Sequence, residues 1–581
     1  MPVASPGLLA GLWALAGLFL YWSFGYSITW GSDLWWHLAA GRWMWTTRSL
    51  PHVDPFSFTR LGKPWLHHEW LSDIVFYLWS STFGMRSLVF WKWGVIAVAF
   101  LLVQFTLQRL TRNPLASFAV AAWGAAVAAP FLDLRPQLFS ILGTAVLFTL
   151  ALVPRTLIVW LPILFLIWAN LHGGFFFGLM ALGLILLVRE LVPDEDRPES
   201  RRRRIAIFGL CLAAASANVN GLAAFVYPLR YAFDTKSPFR QIGEWHSPFE
   251  AGGTHSPLYP WTIGLFFLCV AGLWVTGAWH SHRRLFFTGL ALGSLTLAMS
   301  LRSRRFVPFF GIAACLMLAP ALDAIVKTPR RRFLAVGLPF LGILAGIARL
   351  SRFPLGPHAF HTLTSEESFP VDTADFLQTN TLSGNVFTLY NWGGYVEMRS
   401  GGRLRVYIDG RADTVFDEGT YRRYLSIAAR EPGWERSIAD SGSRFVLWPR
   451  EDRQFWEPLL QSGHWRSLYE DSVSCLLVRE AEPPFGPFRD PPDSAYRRFT
   501  LAVKARMRGD LQESETQLYE ALARMPEMSA PCHLLARLQA IRGDLPSALA
   551  TEATCQRSFP QPLRKREFEG FLDELRRRNG H

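Results

Sequence analysis

Cysteine is scarce in this sequence, charge is low, and acidic residues are missing from one half; each shortage excludes something. Six Cys in 581 residues, scattered and without a C-x-x-C pair, exclude a disulfide-dense scaffold and argue against a zinc or redox motif. Cys211, Cys269 and Cys315 fall in apolar runs, and a disulfide among Cys475, Cys532 and Cys555 is left open. Charged residues make up 18% of the chain against 50% hydrophobic and 14% aromatic, with 24 Trp and 45 Phe. That balance excludes a disordered chain and a simple soluble enzyme. The acidic shortage is local: residues 1–350 hold 29 Lys+Arg against 14 Asp+Glu, and residues 351–581 hold 30 against 32. The net charge of +13 therefore comes from the apolar half. It reads as the Lys/Arg bias of cytoplasmic loops in a polytopic membrane protein, not as a nucleic-acid-binding surface.

Eleven apolar runs, several of them short, approach the length of about 20 residues that spans a bilayer. They lie near 7–27, 88–108, 114–132, 137–153, 157–169, 174–192, 205–226, 259–279, 285–301, 306–326 and 333–350. Basic residues fall in every second connection: Arg109 and Arg112, Arg155, Arg197 with Arg201 to Arg204, Arg283 and Arg284, and Lys327 with Arg330 to Arg332. An N-in, C-out arrangement places all of them in the cytoplasm and residues 351–581 outside. Residues 70–84 are apolar but short and read as a helix in the outer interface. The N-terminus lacks a basic n-region and an A-x-A site, so it reads as a retained first span.

Residues 351–481 mix short β-rich runs (GNVFTLY, RLRVYID, SRFVLW, CLLVRE) with helical stretches such as 414–430, which predicts a small exported α/β domain. Residues 482–494 are Pro-rich and read as a linker. In 495–581, Gly509-Asp510-Leu511 recurs as Gly543-Asp544-Leu545, and Pro526 recurs as Pro560. A period of 34 residues with a Gly-Asp turn is the tetratricopeptide signature, expected here as a helical cap or as the dock for a protein partner.

On the expected outer side, ionisable residues collect near the ends of spans. Loop 28–69 carries Asp33, His37, His52, Asp54, Lys63, His67, His68 and Glu69. Later connections carry Asp133, Arg135 and Gln137, then Asn170 and His172, then Glu244 and His246, then Arg302, Arg304 and Arg305. Arginines there run against the positive-inside bias, and ionisable groups at a membrane are costly and tend to be functional. Arg binds phosphate oxygens in bidentate fashion. A carboxylate can take the proton of a sugar acceptor or hold a divalent cation such as Mg or Mn beside a leaving phosphate. Each also has a structural reading: an interfacial aromatic belt for the loop, a helix break for Arg135-Pro136, and snorkelling for Arg304 and Arg305.

The layout resembles the GT-C superfamily of membrane glycosyltransferases, which use polyprenyl-phosphate-linked sugars. In that superfamily an essential acid follows the first span, and Asp33 of DLWWHL stands at its position; Asp133 matches a second acid. The closer likeness is to the catalytic subunit of oligosaccharyltransferase, whose acid-xxx-His, Pro-x-x-Asp and Gly steps correspond to Asp33/His37, Pro51/Asp54 and Gly62. Its WWDYG motif is similar to Asn391-Trp392-Gly393-Gly394-Tyr395, where Gly393-Gly394 replaces the Asp-Tyr pair, so sequon recognition does not carry over. The second outer loop also lacks the family's acid-x-acid spacing. The chain likewise resembles bacterial polytopic proteins that end in tetratricopeptide repeats.

The resulting expectation is a bacterial-type inner-membrane enzyme that moves a sugar or glycan from a polyprenyl-phosphate carrier to an extracytoplasmic glycan or protein acceptor. Asp33 is the expected base or metal ligand, assisted by Glu69 and Asp133. Arg135, Arg304 and Arg305 are expected to clamp the carrier phosphate. His37, Asp54, His67, His68, Gln137, His172, Asn391, Trp392 and Tyr395 complete the expected substrate contacts. Gly393-Gly394 reads as a turn or a place of close chain approach, with Asp409 and Arg411 as an internal ion pair. The rival from another class is a non-catalytic assembly protein whose repeats dock a partner.

Overall fold

The computed structural model describes residues 6–28, 33–153, 155–192, 200–233, 237–252, 254–326, 332–353, 355–356, 359–481, 486–558 and 562–578. Arg197, Lys327, Arg330 and Arg331 of the expected cytoplasmic loops lie outside these residues, as do Pro560 of the repeat and 482–485 of the linker. The chain forms two compact units, one of residues 1–29 and 66–351, the other of 30–65 and 352–581.

The first unit is helical. A helix stands at each of the eleven apolar runs, from Pro6–Phe24 to Arg332–Leu350. Among the described residues, five helical stretches are long and apolar enough to cross a membrane, and four shorter ones are apolar. This is a multi-pass membrane protein. Residues 70–84 yield the helix Trp70–Phe83, at 14 residues well short of a span. The run at 205–226 is not continuous. Its helix ends at Ser216, and a second, Ala223–Phe233, follows. Asn218 explains the break: its side chain donates to the Ala215 carbonyl at 2.7 Å and accepts the Asn220 amide at 2.8 Å. Such local bonds compete with the helical ladder. Asn113 works in the opposite sense. It caps the helix Pro114–Ala128 by accepting from the Ala116 amide and donates to Asp323 at 2.9 Å, fixing the end of Val307–Ile325.

The second unit holds a five-stranded sheet in the order β2-β1-β3-β5-β4. Its strands are β1 (Gly384–Thr388), β2 (Leu404–Val406), β3 (Phe445–Pro449), β4 (Trp465–Glu470) and β5 (Ser474–Arg479). β1 runs parallel to β2 and β3, and β5 runs antiparallel to β3 and β4. Residues 30–65, expected as a loop of the membrane domain, belong to this unit. The reason is pairing at the sheet edge. Ser57 bridges Val406 in parallel, the Phe58 amide donates to the Val406 carbonyl at 3.1 Å, and Thr59 Oγ1 donates to the Tyr407 carbonyl at 2.6 Å.

Five helices from Ala495–Met507 to Pro562–Arg578 end the chain. Gly509 (φ 81°) and Gly543 (φ 85°) occupy equivalent left-handed turns, and Asp510 and Asp544 follow each as N-caps. The offset of 34 residues is therefore a repeat of structure as well as of sequence.

Candidate functional site

In the membrane unit the candidate residues lie where apolar runs stop. Glu69 precedes the helix Trp70–Phe83, Arg135 the helix Gln137–Leu152, and Arg305 the helix Val307–Ile325, while His172 ends Leu161–Leu171. Arg135 forms an ion pair with Glu244, whose second oxygen is 3.5 Å from Arg305 Nε. The Arg305 guanidinium lies over Trp245, 4.5 Å from the ring centroid, and its carbonyl accepts from Gln137 Nε2 at 3.0 Å. Burial raises the affinity of Glu244 for a proton, but Arg135 and Arg305 outweigh it and hold the carboxyl below its ordinary pKa. Two guanidinium groups thus share one carboxylate, a net positive charge of the kind that attracts a phosphate.

Glu69 stands beside two imidazoles, 3.6 Å from His68 Nε2 and 3.4 Å from His172 Nε2. His172 Nδ1 accepts the Gly174 amide at 3.0 Å and lies 2.6 Å from Ser140 Oγ. With Nδ1 an acceptor, Nε2 carries the proton and faces Glu69. Burial, then Arg305, His68 and Arg135, hold the His172 pKa well below the ordinary value, so the ring is neutral near pH 7.

The other expected residues of this unit are engaged differently. Arg304 is buried, and its NH2 donates to the carbonyls of Ser247 at 2.9 Å and Glu250 at 3.2 Å, with NH1 on Gly252. It folds the loop that carries Glu244 and does not join the Arg135–Arg305 pair, because carbonyl oxygens already occupy its fork. His67 is buried against Asp73 at 2.7 Å. Asp133 lies in the electrostatic field of Lys92, whose Nζ donates to the Ser27 carbonyl at 2.6 Å. Lys92, Glu244 and Ser140 were not among the expected site residues. A lone lysine inside the apolar run VFWKWGV was the signal for the first.

In the second unit Asp33 is the first residue of the helix Asp33–Thr47. One of its carboxylate oxygens lies 2.7 Å from where a Cβ on Gly410 would stand, so glycine at 410 makes its room. His37 is buried against Trp36, with ring centroids 3.6 Å apart. Asp54, expected at the substrate, accepts from the amides of Phe56 and Ser57 and from Arg411 NH1 at 2.6 Å. Arg411 also grips Asp409 through Nε at 2.9 Å and NH2 at 2.5 Å. Glu397 is 3.6 Å away. Burial first, then Asp409, push the Glu397 pKa far up, so this carboxyl keeps its proton. Trp392 and Tyr395 are 6% and 0% exposed. Trp392 Nε1 donates to the Ser368 carbonyl at 3.0 Å, and Tyr395 packs edge-on to Trp35 at 4.9 Å. Asn391 is exposed on the same helix, Tyr390–Ser400, so Gly393-Gly394 lies within a helix and forms no turn.

Over 92% of this chain and 86% of the other, the structure is similar to the oligosaccharyltransferase AglB of Archaeoglobus fulgidus, solved with an inhibitory peptide and a dolichol-phosphate. The TM-score is 0.52 at 12% sequence identity. The fold is the GT-C fold. ArnT of Cupriavidus metallidurans bound to undecaprenyl phosphate aligns at a TM-score of 0.45 and 14% identity, over 82% of this chain and 99% of that one. Its apo form gives 0.42 and 15%, over 81% and 97%. No family model matches the sequence, and no curated protein matches it.

Proposed function

We propose that this chain is a membrane glycosyltransferase that moves a sugar or glycan from a polyprenyl-phosphate carrier to a glycan or protein acceptor outside the cytoplasm. The carrying observation is the Arg135–Glu244–Arg305 group in a chain of GT-C fold; AglB, of that fold, was solved with a dolichol-phosphate. In this reading Arg135 and Arg305 hold the carrier phosphate, and the neutral His172 with Glu69 holds a proton beside it. Asp33 takes the acceptor's proton as its oxygen attacks the anomeric carbon, and the carbon–oxygen bond to the carrier phosphate breaks. Asp133, in the field of Lys92, and Arg304 position the turns that carry Arg135 and Glu244.

A Mg or Mn ion would need gathered oxygen ligands. Among the described residues of the membrane unit no three His, Cys, Asp or Glu side chains cluster closely enough. The repeats from 495 onward read as tetratricopeptide-like, a brace for the α/β domain and a dock for a protein partner.

The test is chemical. Lipid extracts of cells lacking the protein are expected to accumulate a polyprenyl-linked sugar, cleared by the wild type but not by Asp33→Asn or Arg305→Ala variants present at normal abundance. Arg305→Lys should retain partial function, because the charge survives while the fork is lost. An unchanged lipid pool in the deletion strain would overturn the reading.

A further inference from the structure

We propose that the pair of helices Ser529–Ile541 and Leu545–Ser558 carries a redox-gated site for a zinc-class divalent cation, made of Cys532, His533, Glu552 and Cys555. In the structure Cys532 and Cys555 form a disulfide between the two helices. Beside it His533 Nδ1 meets Glu552 Oε2 at 2.7 Å. One donor atom from each of His533, Glu552 and Cys555 lies within 4.8 Å of the others, and the fourth ligand, Cys532, is bonded to Cys555. All four side chains are buried. His533 Nε2 is buried without a hydrogen-bond partner, which is costly in a closed site. The second oxygen of Glu552 accepts from Gln556 Nε2 at 2.9 Å, the kind of outer contact that orients a ligating carboxylate.

The donor set decides the metal. Two thiolates, an imidazole and a carboxylate suit tetrahedral zinc and its softer relatives, whereas magnesium and calcium require oxygen alone. In the oxidised chain there is no thiolate and hence no site. An external dithiol supplies two electrons: the sulfur–sulfur bond breaks, two thiols form, and the dithiol leaves as its own disulfide. The cation then displaces both thiol protons and bonds to both sulfurs, with His533 neutral and Glu552 ionised. Either state clasps the hairpin, by a covalent bond or by the ion. Spacing did not reveal the site because the ligands come as a pair from each of two helices: Glu552 and Cys555 share one face at i, i+3, and Cys532 and His533 straddle the face opposite.

The experiment uses the full chain in detergent, either oxidised or reduced by a phosphine that is then removed under argon. Each form is titrated with Co²⁺ and then with Zn²⁺. The reduced chain is expected to take up one cobalt ion, with a thiolate-to-cobalt charge-transfer band and the visible bands of a tetrahedral site, both abolished by zinc. The oxidised chain should show neither. The Cys532→Ser/Cys555→Ser double variant should lose both bands, which separates this site from Cys211, Cys269, Cys315 and Cys475. His533→Gln should weaken cobalt binding at least about tenfold. A reduced wild-type chain without the charge-transfer band, or equal binding by the oxidised chain or the double variant, would overturn the proposal. The comparison of the two redox states of the unaltered chain does not depend on any variant folding.

Discussion

A Cβ at position 394 would lie 2.8 Å from the Trp36 amide nitrogen and 3.2 Å from its Cα, and one at 393 would lie 2.4 Å from the Ile408 carbonyl oxygen. Both obstacles are backbone, so no rotamer change relieves them. Glycine here lets the helix Tyr390–Ser400 press against Asp33–Thr47 and against the residues leading to Asp409, and that contact sets the surroundings of Asp33. Gly394→Ala is expected to destabilise this unit by about 1–3 kcal/mol through overpacking, and Gly393→Ala by at least as much. The measurement is the melting of the full chain in detergent. Normal melting of Gly394→Ala would mean that the two helices are not in contact. Trp392→Ala should cost roughly 3–5 kcal/mol, because a buried ring is removed; unchanged melting together with failed transfer would instead assign it to the acceptor.

Among the elements, the short helix Ala359–Leu363 shows how the repeats are tied to the α/β domain. His361 Nδ1 lies 2.5 Å from Tyr496 Oη, and its Nε2 lies 3.1 Å from Glu367. Glu367 in turn accepts the amides of Ser529 at 2.6 Å and Ala530 at 2.8 Å, at a helix N-terminus where a carboxylate is favoured. Burial alone would lower the His361 pKa, but Glu366 and Glu367 outweigh burial and raise it to about 9, while both carboxylates are depressed by the same imidazolium. A raised imidazole stabilises fully below its unfolded value of about 6.5 and stops doing so as pH rises through the folded value. Depressed carboxylates stabilise above about 4.5 and stop doing so as pH falls. Melting of the full chain should therefore decline from about pH 6.5 to 9, with up to about 3 kcal/mol at stake. His361→Gln should flatten that slope; a slope unchanged in the variant would remove His361 as its cause. The membrane helices were readable because a long apolar run is a local signal. The clustered charges were not: Asp54 and Arg411 are 357 residues apart, and Arg135 and Glu244 are 109 apart. Strand β4 went unread because WRSLYE has no β-branched residue, and Asn218 hid a helix break inside an apolar run.

At the scale of the whole molecule, orientation decides whether the proposed chemistry faces the outside. Arg201 to Arg204 open the helix Arg201–Ser216, at the end where the helix dipole disfavours cations. Arg201 and Arg204 pair with Glu190; in the proposed orientation all four arginines stay on the cytoplasmic side. In that proposed orientation, counting alternate connections from this loop would send residues 352–581 outside. Outside the cytoplasm the disulfide between Cys532 and Cys555 would persist, since such bonds are kept in oxidising compartments. A reporter active only outside the cytoplasm should work when fused after residue 351 and stay silent when fused after residue 200. In the same cells Cys532 and Cys555 should resist alkylation until the protein is reduced. The two readouts fail separately. A silent reporter at 351 would place the second unit in the cytoplasm and remove an extracytoplasmic acceptor from the proposal. An active reporter with freely alkylated cysteines would keep the topology and show that the hairpin stands in its reduced state, the one expected to hold the metal.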